Sequence, residues 1–210
     1  MEICYIIGAA KAPELYIKKD NAFIIAADGG LANLGDCVPD IAVGDFDSLG
    51  FIPKNCSTEV LPVEKDVTDM AHAAYLAENK GFKTIVMYGG TGGRPDHTLA
   101  NISLVTELSK RGINAYLIGE GYVTTAITDS AITFGKDKKG TVSVFAAGEK
   151  AEGVSLKGLK YPLENYNLQF DNHIGVSNAF TFEQAVISVA NGTLLVMWEE
   201  KNLKDFIDNL

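Results

Sequence analysis

Hydrophobic residues in the first half of the chain fall into short continuous runs separated by segments of helical periodicity. The runs Ile3–Ile7, Phe23–Ala27, Ile41–Val43, Glu59–Pro62, Thr84–Met87 and Asn114–Ile118 lack the alternation of a strand with one wet face. Continuous apolar character predicts strands buried on both sides, as in a parallel sheet. Between them, one helix is predicted from about Thr68 to Asn79, stopping near Gly81. A second covers about His97 to Lys110, with Leu99, Ile102, Val105 and Leu108 on one face and Gly112 closing it. Strand–helix alternation of this kind predicts an α/β layer fold.

From Gly119 onward the texture changes. The segments YVTTAIT, SAITFG, GTVSVFAAG, GVSLKGL, NAFTFEQAVISVANG and TLLVMWEE are rich in threonine, valine and aromatics and are punctuated by glycine, asparagine and charged turns. They read as antiparallel strands of a sandwich or barrel, and Asn191-Gly192 reads as a hairpin turn. The boundary falls between Gly119 and Thr125, giving domains 1–121 and 122–210. The tail KNLKDFIDNL is expected to be solvated or to end in a helix at a subunit contact.

Composition narrows the partners. The chain has 210 residues, 47% of them hydrophobic and 21% charged, as in an ordinary globular protein. Lysine plus arginine is 18 against 27 acidic residues, so 18 − 27 gives −9, which disfavours non-specific nucleic-acid binding. An anionic substrate stays open, because a bound divalent cation reverses the local sign. Cys4, Cys37 and Cys56 share no metal-ligand spacing and are odd in number, so no disulfide framework is expected and a cytoplasmic location is the default. MEICYIIGAA lacks a basic n-region and reads as a first strand. No apolar stretch approaches the roughly 20 residues of a membrane helix.

Chemistry concentrates where predicted strands end, the place where open α/β sheets bind ligands. DGG (Asp28 to Gly30), GDFDS (Gly44 to Ser48), EKDVTD (Glu64 to Asp69) and YGGTGGRPDH (Tyr88 to His97) each follow one of four consecutive strands. Taken singly, each has a structural explanation: a turn, a helix cap from Ser48, Asp66 or Thr68, a flexible glycine loop. Together they suggest one rim. Asp45, Asp47 and Asp69 offer the oxygen ligands Mg2+ prefers, and the cation would relieve their repulsion. Backbone N–H groups of Gly89, Gly90, Thr91, Gly92 and Gly93 suit phosphates, with the following helix N-terminus adding positive potential. Lys65 and Arg94 add side-chain charge to the same polyphosphate. Asp-x-Asp alone is not specific, since haloacid-dehalogenase phosphatases and nucleotide-sugar glycosyltransferases use it too. His72, His97 and His173 are given no chemistry.

In order, ADGGLANL, PDIAVGDFDSL, EKDVTDMAHAAYLA and YGGTGGRPDHTLANISLV resemble the thiamin pyrophosphokinase family, and HIGVSNAF with GTLLVMWEE extends the likeness into the second half. The resemblance implies a three-layer α/β catalytic domain binding ATP and Mg2+, followed by an antiparallel β-sandwich domain binding thiamine, working as a homodimer. It implies transfer of diphosphate from ATP to thiamine, leaving AMP. By motif position Asp45, Asp47 and Asp69 match the family's metal-binding aspartates; Asp28, with Gly29 and Gly30 beside it, and Asp96 match further active-site positions. Asp96 would orient or deprotonate the attacking hydroxyl, or only cap its helix. Ser177 and Asn178 match the thiamine-side segment, whereas Trp198 is given no thiamine-stacking role.

Overall fold

Strands that are apolar on both faces need cover on both, and the chain supplies it. The computed structural model describes residues 2–18, 22–47, 50–62 and 66–210. Two units emerge, one made of Met1–Leu104, Ile113–Gly121 and Asn202–Leu210, the other of Val105–Gly112 and Tyr122–Lys201. In the first, β1 (Ile3–Ile7), β2 (Ala22–Ala27), β3 (Ile41–Gly44), β4 (Ser57–Val60), β5 (Thr84–Tyr88) and β6 (Asn114–Gly119) run parallel in the order β6-β5-β1-β2-β3-β4. Every residue of β1 and β5 is buried. β4 ends earlier than the sequence suggests: Leu61 N–H still donates to Gly44 O at 2.9 Å, but Pro62 has no N–H to carry the ladder on.

The order of strands fixes where a ligand can enter. Connections from β1 step outward through β2, β3 and β4, while the chain from β5 leaves the other way, to β6. Carboxyl ends of β1 and β5 therefore flank a topological switch point, where adjacent loops diverge and open a crevice.

Helix α1 (Asp69–Asn79) starts at Thr68, whose hydroxyl accepts from Ala71 N–H at 3.2 Å, and Gly81 (φ +93°) follows its end. It lays Met70, Ala73, Ala74 and Ala77 on β1–β3, small side chains that allow close approach. Helix α2 (Pro95–Lys110) buries Asn101, Leu104, Val105 and Leu108. The face anticipated around Leu99 is corrected: Leu99 is 68% exposed and the polar Asn101 takes the inward position.

In the second unit, β7 (Tyr122–Thr128), β8 (Ala131–Phe134), β9 (Thr141–Ala146), β10 (Lys150–Lys157), β11 (Leu163–Gln169), β12 (Asn178–Ala179), β13 (Ala185–Ser188) and β14 (Thr193–Glu199) form two antiparallel layers, β12-β9-β14-β7 and β11-β10-β13-β8. Phe134 of one layer meets Trp198 of the other edge-on at 5.2 Å, and Phe180 completes the cluster. Trp198 is 1% exposed, a core residue. Asn191-Gly192 is not a hairpin turn, because β13 and β14 belong to different layers; the positive φ of Gly192 (+107°) serves a corner between them. Strand β11 went unread because its residues are mostly exposed and polar.

The tail returns to the first unit as α3 (Leu203–Asp208). Phe206 meets Tyr116 edge-on at 5.3 Å, Ile207 is fully buried, and Tyr16 Oη donates to Asp208 Oδ1 at 2.8 Å. Ile207→Ala should lower unfolding free energy by about 2–5 kcal/mol through the cavity it leaves, read as a lower urea midpoint.

Candidate active site

Loops at the carboxyl ends of β1, β2, β3 and β5, with the first turns of α1 and α2, enclose a cavity of about 740 Å³ in the first unit. Its walls include Gly8–Ala10, Asp28, Asp45, Asp66, Asp69, Gly89, Gly90, Gly93, Arg94, His97 and Asn101.

Local backbone geometry explains how the carboxylates arrive there. Asp28 directly follows β2 with φ +47°, and Phe46 lies two residues beyond β3 with φ +58°, both in the left-handed region that costs energy for a side chain. Phe46 is 2% exposed and anchors its loop in the core. Asp45 is thereby held half-buried at the cavity wall, while Asp47 lies exposed outside it, its backbone N–H donating to Asp45 Oδ1 at 3.1 Å. The three aspartates expected as a metal set are thus divided: Asp45 and Asp69 line the cavity and Asp47 does not. Among the described residues no three His, Cys, Asp or Glu side chains stand close enough to hold a metal by themselves.

Gly30 and Gly89 are required by close approach. A Cβ on Gly30 would lie 1.8 Å from Ile7 O, and one on Gly89 (φ +64°) would lie 2.3 Å from Gly8 O. Gly30 therefore serves the backbone beneath the site; with Gly29 it does not face the cavity as Asp28 does. Of the glycine loop, Gly89, Gly90 and Gly93 line the cavity, whereas Thr91 and Gly92 do not. Tyr88, just before the loop, is fully buried, and its hydroxyl donates to Tyr16 O at 2.7 Å.

Arg94 lies exposed on the rim and makes a two-pronged ion pair with Asp96, Nη2 to Oδ2 at 2.6 Å and Nε to Oδ1 at 3.1 Å. Asp96 Oδ1 also accepts His97 N–H at 3.0 Å. The Arg94 guanidinium holds the Asp96 carboxyl down at about 2. Lys65 lies outside the described residues, as does Ser48.

In the second unit, Asn178 is committed to structure. Its Oδ1 accepts the N–H groups of Tyr161 and Ala179, both at 2.9 Å, and its Nδ2 donates to Tyr161 O at 2.7 Å. Ser177 precedes it, exposed, with φ +56° and its N–H donating to Ser143 Oγ at 3.0 Å. Neither lines the cavity of the first unit.

Sequence reasoning missed the loop after β1, Asn101 and His97 as cavity residues. The signal was faint: GAA carries no reactive group, and Asn101 interrupts an apolar helix face without announcing why.

Residues 15–117 match the thiamin pyrophosphokinase catalytic domain and residues 130–194 the thiamin pyrophosphokinase vitamin B1 binding domain. The chain belongs to the thiamin pyrophosphokinase family. It is 29% identical over 199 residues to the thiamine pyrophosphokinase of Bacillus subtilis strain 168, covering 91% of this chain and 90% of the relative. The crystal structure of thiamine pyrophosphokinase from Bacillus subtilis superposes with a TM-score of 0.84 at 27% identity, covering 96% of this chain and all (100%) of that one. That from Geobacillus thermodenitrificans gives 0.81 at 26% identity, over 95% and 98% of the two chains. The α/β unit and the antiparallel sandwich are thus the two parts of a thiamin pyrophosphokinase.

In this family member Asp96 owes its low pKa, about 2 against an ordinary 3.8, first to its hydrogen bonds with Arg94. A depressed carboxylate pKa favours the folded state above the ordinary value, and that preference is lost as pH falls from about 4 towards 2. Arg94→Gln should return the Asp96 carboxyl towards its ordinary range, measured by NMR titration of its side-chain carbon.

Proposed function

We propose that the chain is a thiamine diphosphokinase that transfers the diphosphate group of ATP to the hydroxyl of thiamine, releasing AMP. The observation that carries the reading is the cavity at the switch point, where a glycine-rich loop, an arginine and several strand-end aspartates meet. The thiamine hydroxyl oxygen attacks the β-phosphorus, the new O–P bond replaces the bond between the β-phosphorus and the bridging oxygen, AMP leaves with that oxygen, and the hydroxyl proton passes to water. Such transfers depend on positioning and charge neutralisation rather than covalent catalysis.

Donor chemistry fits Mg2+: the carboxylates are oxygen ligands, and Mg2+ takes only one or two from a protein, leaving the rest to water and phosphate. Asp45 and Asp69 would hold it, with Asp28 beside the β3 end that carries Asp45 and Asp47 outside the cavity; when bound, the cation would neutralise charge developing on the phosphate oxygens. Asp28 and its neighbours Gly29 and Gly30 belong to the ATP side of this reading, as do Gly89, Gly90, Thr91, Gly92 and Gly93. Arg94 and Lys65 steer the polyphosphate. A carboxylate near 2 is a weak base at neutral pH, and Asp96, outside the cavity lining, grips Arg94, so it positions Arg94 rather than holding the proton.

Residues 1–121, with the returning segment 202–210, form the ATP- and Mg2+-binding domain in this proposal and 122–201 the thiamine-binding one, with Ser177 on the thiamine side and Asn178 shaping its loop through Tyr161. A cationic substrate suits the acidic cavity. A homodimer belongs to the same reading, and analytical ultracentrifugation reads it directly.

Product analysis with ATP, Mg2+ and thiamine should give AMP and thiamine diphosphate in equal amounts; ADP, or no thiamine dependence, would overturn the reading. Asp45→Asn should lower turnover at least about a hundredfold with little change in melting temperature, because the side chain is half-buried at the cavity wall and not part of the apolar core. Undiminished turnover would remove Asp45 from metal binding.

A further inference from the structure

Two asparagines outside the expected site hold down the backbone carbonyls around it. Asn33, in the 3-10 turn Asp28–Leu34 after β2, donates from Nδ2 to Gly8 O at 2.8 Å and to Ala10 O at 2.9 Å. Asn101, on α2, donates from Nδ2 to Gly90 O at 2.8 Å. The two loops hold each other as well: Gly8 N–H donates to Tyr88 O at 2.8 Å and Ala10 N–H to Gly89 O at 3.0 Å. Carbonyl oxygens of Gly8, Ala10, Tyr88, Gly89 and Gly90 therefore all accept hydrogen bonds from within the protein.

Carbonyl oxygens repel phosphate, so a backbone cradle for an anion must turn them elsewhere. A trans peptide is planar, with its C=O and N–H pointing in opposite directions, and no peptide here is cis. Fixing Gly8 O and Ala10 O against Asn33 turns both carbonyls to that side and sets the N–H group of Ala9, a cavity residue, on the opposite side. Fixing Gly90 O against Asn101 holds Gly89 and Gly90, which line the cavity, in place. Asn101 is 5% exposed on a face otherwise made by Leu104, Val105 and Leu108, where an apolar residue would be the ordinary occupant. Burying an amide there is unfavourable unless its hydrogen bonds are made.

We infer that Asn33 and Asn101 are positioning residues that hold the loops after β1 and β5, with the carbonyls of Gly8, Ala10 and Gly90 engaged, as a backbone seat for a polyphosphate. The inference rests on the diphosphokinase reading and deepens it: selectivity for the phosphate chain is set by neutral amides that hold the backbone, not by cationic side chains alone.

Asn101→Asp keeps size and shape but replaces the donor with an acceptor facing Gly90 O. Carboxylate–carbonyl repulsion releases the Gly90 carbonyl, and the loop after β5 leaves the conformation that seats the ligand. Calorimetric titration of α,β-methylene-ATP with Mg2+ should show affinity lowered about tenfold or more, with thiamine affinity changed less than twofold and the ATP KM rising more than the thiamine KM. Asn33→Asp, on a different element, should behave alike and stands in if Asn101→Asp does not fold. Unchanged nucleotide affinity in a folded variant overturns the inference, as does a parallel loss of thiamine affinity, which marks general loosening. Wild-type protein assayed alongside separates the two readings: if it binds the nucleotide yet forms no AMP, the diphosphokinase reading fails; if it forms AMP and the variants bind normally, only the cradle fails.

Discussion

The site depends on one backbone contact, the approach of the loop after β1 to the loop after β5. Gly8 N–H donates to Tyr88 O and Ala10 N–H to Gly89 O, and a Cβ on Gly89 would fall 2.3 Å from Gly8 O. A side chain on Gly8 or Gly89 would collide across that seam, so the two loops meet there backbone to backbone. The contact exists because β1 and β5 are paired in parallel from Ile3↔Thr84 to Ile7↔Tyr88 and emerge level at the same rim. Their chains then diverge, and the space between them becomes the crevice. Strand pairing, glycine placement and ligand access are thus one constraint seen at three scales.

Charge sets the second condition. The protein carries −9 overall, and Asp28, Asp45, Asp66 and Asp69 line the same cavity as Arg94, which is already engaged by Asp96. Such a cavity would repel a bare polyphosphate. In the proposed reading it would accept one that arrives with a divalent cation and would favour a second substrate that is itself positive. The acidic composition that argues against nucleic acid is therefore the same property that suits the pair of substrates.

Much of this was legible in the sequence, because parallel strands buried on both faces leave continuous apolar runs and their ends carry the reactive residues. β1, β5 and the aspartate motifs announce themselves in that way. Other features leave no such trace. β11 is too polar and exposed to read as a strand. Asn191-Gly192 signals a positive φ, which a hairpin and an inter-layer corner use equally. Leu99 fits the apolar stripe of α2 by spacing, yet Asn101 faces inward because Gly90 O needs a donor, a tertiary demand that periodicity cannot express. Asp45 and Asp47 look equivalent on paper; the buried Phe46 between them, forced to positive φ, sends them to different places.

The return of α3 has a consequence for how the protein assembles. The first unit is discontinuous: its last strand, β6, ends at Gly119, but the unit is completed by residues 202–210. Tyr16 and Asp208, hydrogen-bonded at 2.8 Å, are 192 residues apart in the chain. Closing so long a loop costs entropy that local contacts do not repay in advance, so this docking belongs late in folding. Excising residues 1–121 would strip α3 away, leaving Tyr116 without Phe206 and Tyr16 without Asp208. The sandwich is thus encoded as an insertion within the catalytic unit, and its termini, rather than a hinge peptide, define the seam along which the gene could be divided.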